Sequence, residues 1–170
     1  MLAYSRLSRS CGVLLVWAAV AVACDNADVP GSATTRLACE AFKQTMATPV
    51  TFEAFSAGPG PILTTQTTPF AVTLAPTVAP GQYSGHAQWQ INAPGIYGMY
   101  VDQAATFLLR DSAKALVTFK HQLGSPRSCE AIGRYAFMNL AAGVYSIELG
   151  PTVFPSVRLQ LVPTAANDDI

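Results

Sequence analysis

The chain has 170 residues, 51% of them apolar and only 12% charged, and its 10 basic and 10 acidic side chains cancel at neutral pH. A neutral chain without a basic run offers no electrostatic footprint for nucleic acid and no polybasic patch for anionic lipid. Its two histidines form no H-E-x-x-H pair, and it has neither a G-x-S-x-G elbow nor a glycine-rich phosphate loop. Helix-borne zinc hydrolysis, serine-hydrolase chemistry and nucleotide binding therefore find no support in it.

Residues Met1 to Ser10 carry Arg6 and Arg9 and no acid, and an uninterrupted apolar run follows from Gly12 to Ala23. A basic start followed by about a dozen apolar residues is the layout of a secretory signal, and the run is short of the roughly 20 residues that span a bilayer. It ends in Ala21-Val22-Ala23-Cys24. This resembles the lipobox of bacterial lipoproteins, although that family prefers Leu where Ala21 stands. The resemblance implies cleavage after Ala23 and a diacylglyceryl group on the Cys24 thiol, which would make Cys24 the lipidated N-terminus. It implies a bacterial cell-envelope location, held to a membrane on its periplasmic side or at the surface. Asp25 resembles the inner-membrane retention signal of enteric bacteria. The same three residues also fit an ordinary A-x-A cleavage site, which would instead give a plainly secreted protein.

Removing residues 1–23 takes away two arginines and leaves 147 residues with 8 basic and 10 acidic side chains, a net charge of −2. One domain of that size buries a proper core. Of the four cysteines, Cys11 falls in the leader and Cys24 is the lipid site. Cys39 and Cys129 remain, and an oxidising envelope compartment lets them pair. They lack the close spacing of a redox or metal pair, so a structural disulfide is expected.

In chain order, residues 24–36 read as a flexible tether, 37–163 as a β-sandwich domain and 164–170 as a disordered tail. Leu37 to Met46 reads as a short helix or an irregular first element pinned by Cys39, with a strand left open. From Thr48 onward, short runs rich in Val, Thr, Phe, Tyr and Ile alternate with Gly, Pro and Asp clusters. Val50 to Ala57 is a strand broken near Phe55, and Ile62 to Thr68 is an edge strand or extended loop. Phe70 to Leu74 alternates cleanly, and Ala75 to Gly81 is a connection. Tyr83 to Ile91 places Tyr83, Ala87, Trp89 and Ile91 on one face and Ser84, His86, Gln88 and Gln90 on the other. Ile96 to Val101, apolar on both faces, is a central strand. Hairpins are expected about Asp111-Ser112-Ala113-Lys114 and about Ala141-Ala142-Gly143, and Leu123 to Ile132 is a loop. Ser156 to Val162 closes the domain with Val157, Leu159 and Leu161 inward. The expected fold is all-β: an antiparallel sandwich of about eight or nine strands, jelly-roll or Ig-like, with one disulfide.

The run Phe137-x-x-Leu140-x-x-Gly143-x-Tyr145-x-Ile147-x-Leu149, followed by Val157-x-Leu159-x-Leu161, resembles the closing strands of bacterial pre-peptidase C-terminal domains. Those modules are non-catalytic, secreted and often adhesive or carbohydrate-contacting. The resemblance implies an architecture and no site.

The function expected is that of a non-catalytic binding or structural module with no cofactor, whose partner is an envelope protein or a glycan. The alternative is a copper- or zinc-binding periplasmic protein: if their strands were neighbours, His86 and His121 could converge on an ion with Met99, Met138 or an acid. A third reading is a secreted carbohydrate-binding or hydrolytic domain drawing two carboxylates from Glu40, Glu53, Asp102, Asp111, Glu130 and Glu148. Trp89, Tyr97, Tyr100, Tyr135 and Tyr145 supply aromatic surface, most of it expected in the core.

Overall fold

The computed structural model describes residues 32–126 and 129–164. The leader, Cys24, the first part of the tether and nearly all of the tail lie outside the described residues. The chain begins with α1 (Ser32–Lys43) and continues through β1 (Thr48–Thr51), β2 (Ile62–Thr64), β3 (Phe70–Thr73), β4 (Ala75–Pro76) and β5 (Tyr83–Ile91). There follow β6 (Gly95–Val101), β7 (Phe107–Arg110), β8 (His121–Gly124), β9 (Arg134–Leu140), β10 (Gly143–Thr152) and β11 (Ser156–Pro163). Among the described residues no helix is long and apolar enough to cross a membrane.

The strands form two packed sheets, a larger one ordered β1-β3-β11-β6-β9-β8 and a smaller one ordered β2-β5-β10-β7, with β4 alongside β5. Within them, β3-β11-β6-β9 faces β5-β10-β7. Residues 115–117 take the eighth place beside β7, through an Arg110–Leu116 bridge and a bond from Val117 N–H to Leu109 O. From β3 onward, successive members of this set change sheet at each step except the turn from β7 to residues 115–117. That is the double Greek key of a jelly roll, the first of the two expected forms.

The core lies between the sheets, where Val72, Trp89, Met99, Phe107, Met138, Ile147 and Leu159 are all buried. Period-2 alternation predicts these inward faces correctly for β5, β10 and β11. Four expectations change. There are eleven strands, because the two-residue β4 and the polar β8 form where a connection and a loop were expected. The sheets are mixed rather than antiparallel: β1 pairs parallel with β3, and β2 with β5. A parallel pair needs a crossover, and each crossover here runs through the opposite sheet.

The turn at residues 141–142 is not a hairpin. It carries the chain from β9 in the larger sheet to β10 in the smaller one. The turn after β5 makes the corresponding crossing to β6, and a tyrosine ties each corner. Tyr145 OH bonds the backbone of Ala141, and Tyr97 OH donates to Ala93 O at 2.7 Å. Lastly, residues 32–36, expected in the tether, belong to α1, with Thr34 and Thr35 buried.

Helix α1 explains why β6 and β9 are apolar on both faces. It lies on the outer face of the larger sheet, where Ala38, Cys39 and Phe42 close a second apolar cluster over Tyr100, Tyr135, Phe137 and Ile132. Gly98 makes room in it, because a Cβ there would stand 2.7 Å from the Tyr100 ring. The expected disulfide forms between Cys39 and Cys129, 90 residues apart, and fixes α1 to the segment preceding β9. Arg158, on the outer face of β11, donates to Phe42 O, Ala41 O and Gln44 O and lies over the Phe42 ring. It thereby satisfies the orphan carbonyls at the helix C-terminus and complements the helix dipole.

Candidate functional site on the outer face of the smaller sheet

The outer face of the smaller sheet presents Ser84, His86, Gln88 and Gln90 from β5, and Val144, Ser146 and Glu148 from β10, because alternate residues point away from the core. Register places His86 opposite Glu148 and Gln88 opposite Ser146. On the far side of β10, Ser146 stands opposite Arg110 of β7. The result is a floor two rows deep across three strands, polar except at Leu108 of β7, which stands opposite Glu148.

Two loops wall this floor. On one side the chain after β1 pairs Glu53 with His86 by two backbone bonds and then turns over the sheet face. Phe55 stacks on the His86 imidazole with ring centroids 5.7 Å apart, and the His86 Nε2–H donates to Gly58 O. Gly60, at φ 69°, brings the loop back to the edge of β5, where a Cβ would meet His86 O at 2.5 Å. A side chain there would therefore lift the wall from the strand. On the other side is the turn after β7. It is held by Asp111 Oδ1, which accepts the Ala115 N–H, and by Arg110, which donates to Lys114 O. Between the walls lies a cleft of about 500 Å³, lined by Phe55, Gly58, His86, Gln88, Ser112, Lys114, Ser146 and Glu148 among others. That volume falls within the roughly 300–1,000 Å³ of small-molecule sites.

The electrostatics of the cleft are settled internally. Glu148 accepts from Arg110 Nε at 2.7 Å, a charge-assisted bond in a half-buried setting. Among the described residues, neither the Gln88 amide nor the Ser146 hydroxyl has a hydrogen-bond partner. His86 is only 7% exposed, and its Nδ1 is buried without a partner among the described residues. His86 is thus not the solvated sheet-face residue that its strand pattern implies, because Phe55 and the Gly58 loop cover it.

The metal site of the alternative reading, with His86 and His121 converging, is not assembled. His86 is on β5 in the smaller sheet and His121 on β8 in the larger one, so the strands are not neighbours. Met99 and Met138 are enclosed in the core. No cluster of three or more His, Cys, Asp or Glu able to hold an ion occurs among the described residues. Of the candidate carboxylates, the fold brings Glu148 and Asp111 to the cleft and leaves Glu40 on α1, where it pairs with Lys43. All five aromatic residues considered for surface recognition are buried. Buried Tyr145 borders the cleft, and Phe55, 53% exposed, offers it an accessible aromatic ring. Its break in the alternation at residues 53–57 was the only sequence signal for this wall.

A second concavity of about 490 Å³ lies beside α1, lined by Leu37, Ala41, Thr67, Gln160 and Val162 among others, and is more apolar than the first. The chain matches no protein-family model and no curated protein sequence.

Proposed function

We propose that this chain is an exported lipoprotein of a bacterial cell envelope, with a non-catalytic jelly-roll domain that holds a partner in the cleft of its smaller sheet. The observation that carries the binding part is the cleft itself: a walled polar floor whose Gln88 and Ser146 side chains have no partner among the described residues. Half-buried polar side chains not engaged by the protein are free to exchange water for a ligand's polar groups, and a concavity that gathers them suits a bound molecule. The cleft's two acids already have structural duties, Glu148 toward Arg110 and Asp111 toward its own turn, which favours recognition over acid–base catalysis. The export part is supported by the leader ending at Cys24 and by the disulfide, which belongs to an oxidising compartment.

The test is fractionation of a bacterial host that makes the full chain with its own leader. The wild type is expected in the membrane pellet and resistant to a high-salt wash. The Cys24→Ser variant, which offers no thiol to acylate, is expected to leave the pellet or to accumulate uncleaved. Identical processing and membrane retention of the two would refute the lipid anchor.

A further inference from the structure

We infer that the ligand of the cleft between the Phe55–Pro59 loop and the Asp111–Lys114 turn is a neutral sugar ring of a glycan. This rests on the reading of the cleft as a binding site and names the chemical class that fits it.

Three observations select that class. The first is charge. The Glu148 carboxylate is already bonded to Arg110, and the remaining charged side chains of the lining, Asp111 and Lys114, are one of each sign. The site therefore has no net field with which to select an anion or a cation. The second is hydrogen-bonding chemistry. Gln88 offers an amide with both donors and an acceptor, Ser146 a hydroxyl that does both, and Glu148 a second carboxylate oxygen that only accepts. Facing side chains that both donate and accept match vicinal hydroxyls, each of which also does both. The Glu148 carboxylate is oriented for this by Arg110, so it can accept from a sugar hydroxyl without losing its own partner. The third is shape. Phe55 stands at one wall and half-exposed Val144 at the floor's end, so apolar surface flanks the polar floor. The aliphatic C–H face of a sugar ring packs on such surface while its hydroxyls reach the floor.

A protein partner fits less well. A stable protein interface covers roughly 800 Å² on each side. This cleft is a bounded hollow of about 500 Å³ with a wall on either flank.

The experiment titrates the full exported chain with two neutral probes, cellobiose and di-N-acetylchitobiose, and one anionic probe, digalacturonic acid. Binding is read by saturation-transfer NMR and titration. The expected result is saturable binding of a neutral disaccharide in preference to the anionic one. A Gln88→Ala/Ser146→Ala double variant is expected to weaken it by roughly tenfold or more, the equivalent of at least one lost hydrogen bond. Unchanged thermal unfolding of that variant shows that the loss is local. Phe55→Ala, which touches no backbone bond of the wall, gives a second reading and is also expected to weaken binding. The inference is overturned if neither neutral disaccharide binds, if the anionic probe binds as well as they do, or if both variants bind like the wild type. Binding of the anionic probe that the Gln88→Ala/Ser146→Ala variant loses would sink the sugar class and keep the cleft as a binding site, whereas no binding of any probe would count against both, leaving the Cys24→Ser result untouched.

Discussion

Asp102 and Arg158 show how much a few side chains on the outer faces decide. Arg158 closes the C-terminus of α1 with its guanidinium, while its backbone N–H donates to Asp102 Oδ1 at 2.8 Å. Burial pushes the Asp102 carboxyl above its usual range. The Arg158 N–H and the nearby guanidinium charge pull it only partly back. A carboxyl raised in the folded state binds its proton more tightly there than in the unfolded chain. Its contribution to stability is therefore fully present below the unfolded pKa of 3.8 and is lost as pH rises through the folded value. Asp102→Asn keeps an acceptor for the Arg158 N–H and removes the buried charge. Relative to the wild type, the variant should gain stability between about pH 3 and pH 7, as measured by urea unfolding at both. A variant that loses ground over that interval would show that Asp102 favours the fold as an anion.

Among the elements, α1 depends most on distant partners. Its attachment comes from the Cys39–Cys129 bridge, from Arg158 and from the cluster around Tyr100. A loop of about 90 residues closed by one disulfide is worth about 4.6 kcal/mol in the chain-entropy model, as an upper figure. The Cys39→Ala/Cys129→Ala variant should unfold at markedly lower urea, with a loss of about 2–4 kcal/mol, and should expose α1 to protease before the sandwich. A variant as stable as the wild type would mean that Phe42 and Arg158 hold the helix unaided.

The pairing of these cysteines was legible in the sequence because elimination left only two. The inward faces of β5, β10 and β11 were legible because alternation reports which side of a strand is buried. What covers an outward face is not encoded in the strand's own period. Gln160, expected outside, is 2% exposed beside α1, and His86 is covered by a loop 30 residues earlier in the chain. The expected hairpin at residues 141–143 failed for the same reason. A glycine turn between two alternating strands looks alike whether they pair or lie in opposite sheets.

At the scale of the whole molecule, the jelly-roll order buries one face of every principal strand and leaves two outer faces with different fates. The larger sheet's outer face is sealed by α1 and its disulfide. The smaller sheet's is left polar and open between two loops. The sealed face carries the start of the domain, and Cys24 lies eight residues before Ser32. A lipid on Cys24, as proposed, would be attached close to the helix-covered side, opposite the proposed ligand cleft.

The most direct test of this account is the intact mass of the protein extracted by detergent from its own membranes without reductant. The expected mass is that of a chain that starts at Cys24, carries added acyl mass and is lighter by the two hydrogens of the Cys39–Cys129 bridge. A chain without acyl mass, or one that retains its leader, would contradict it.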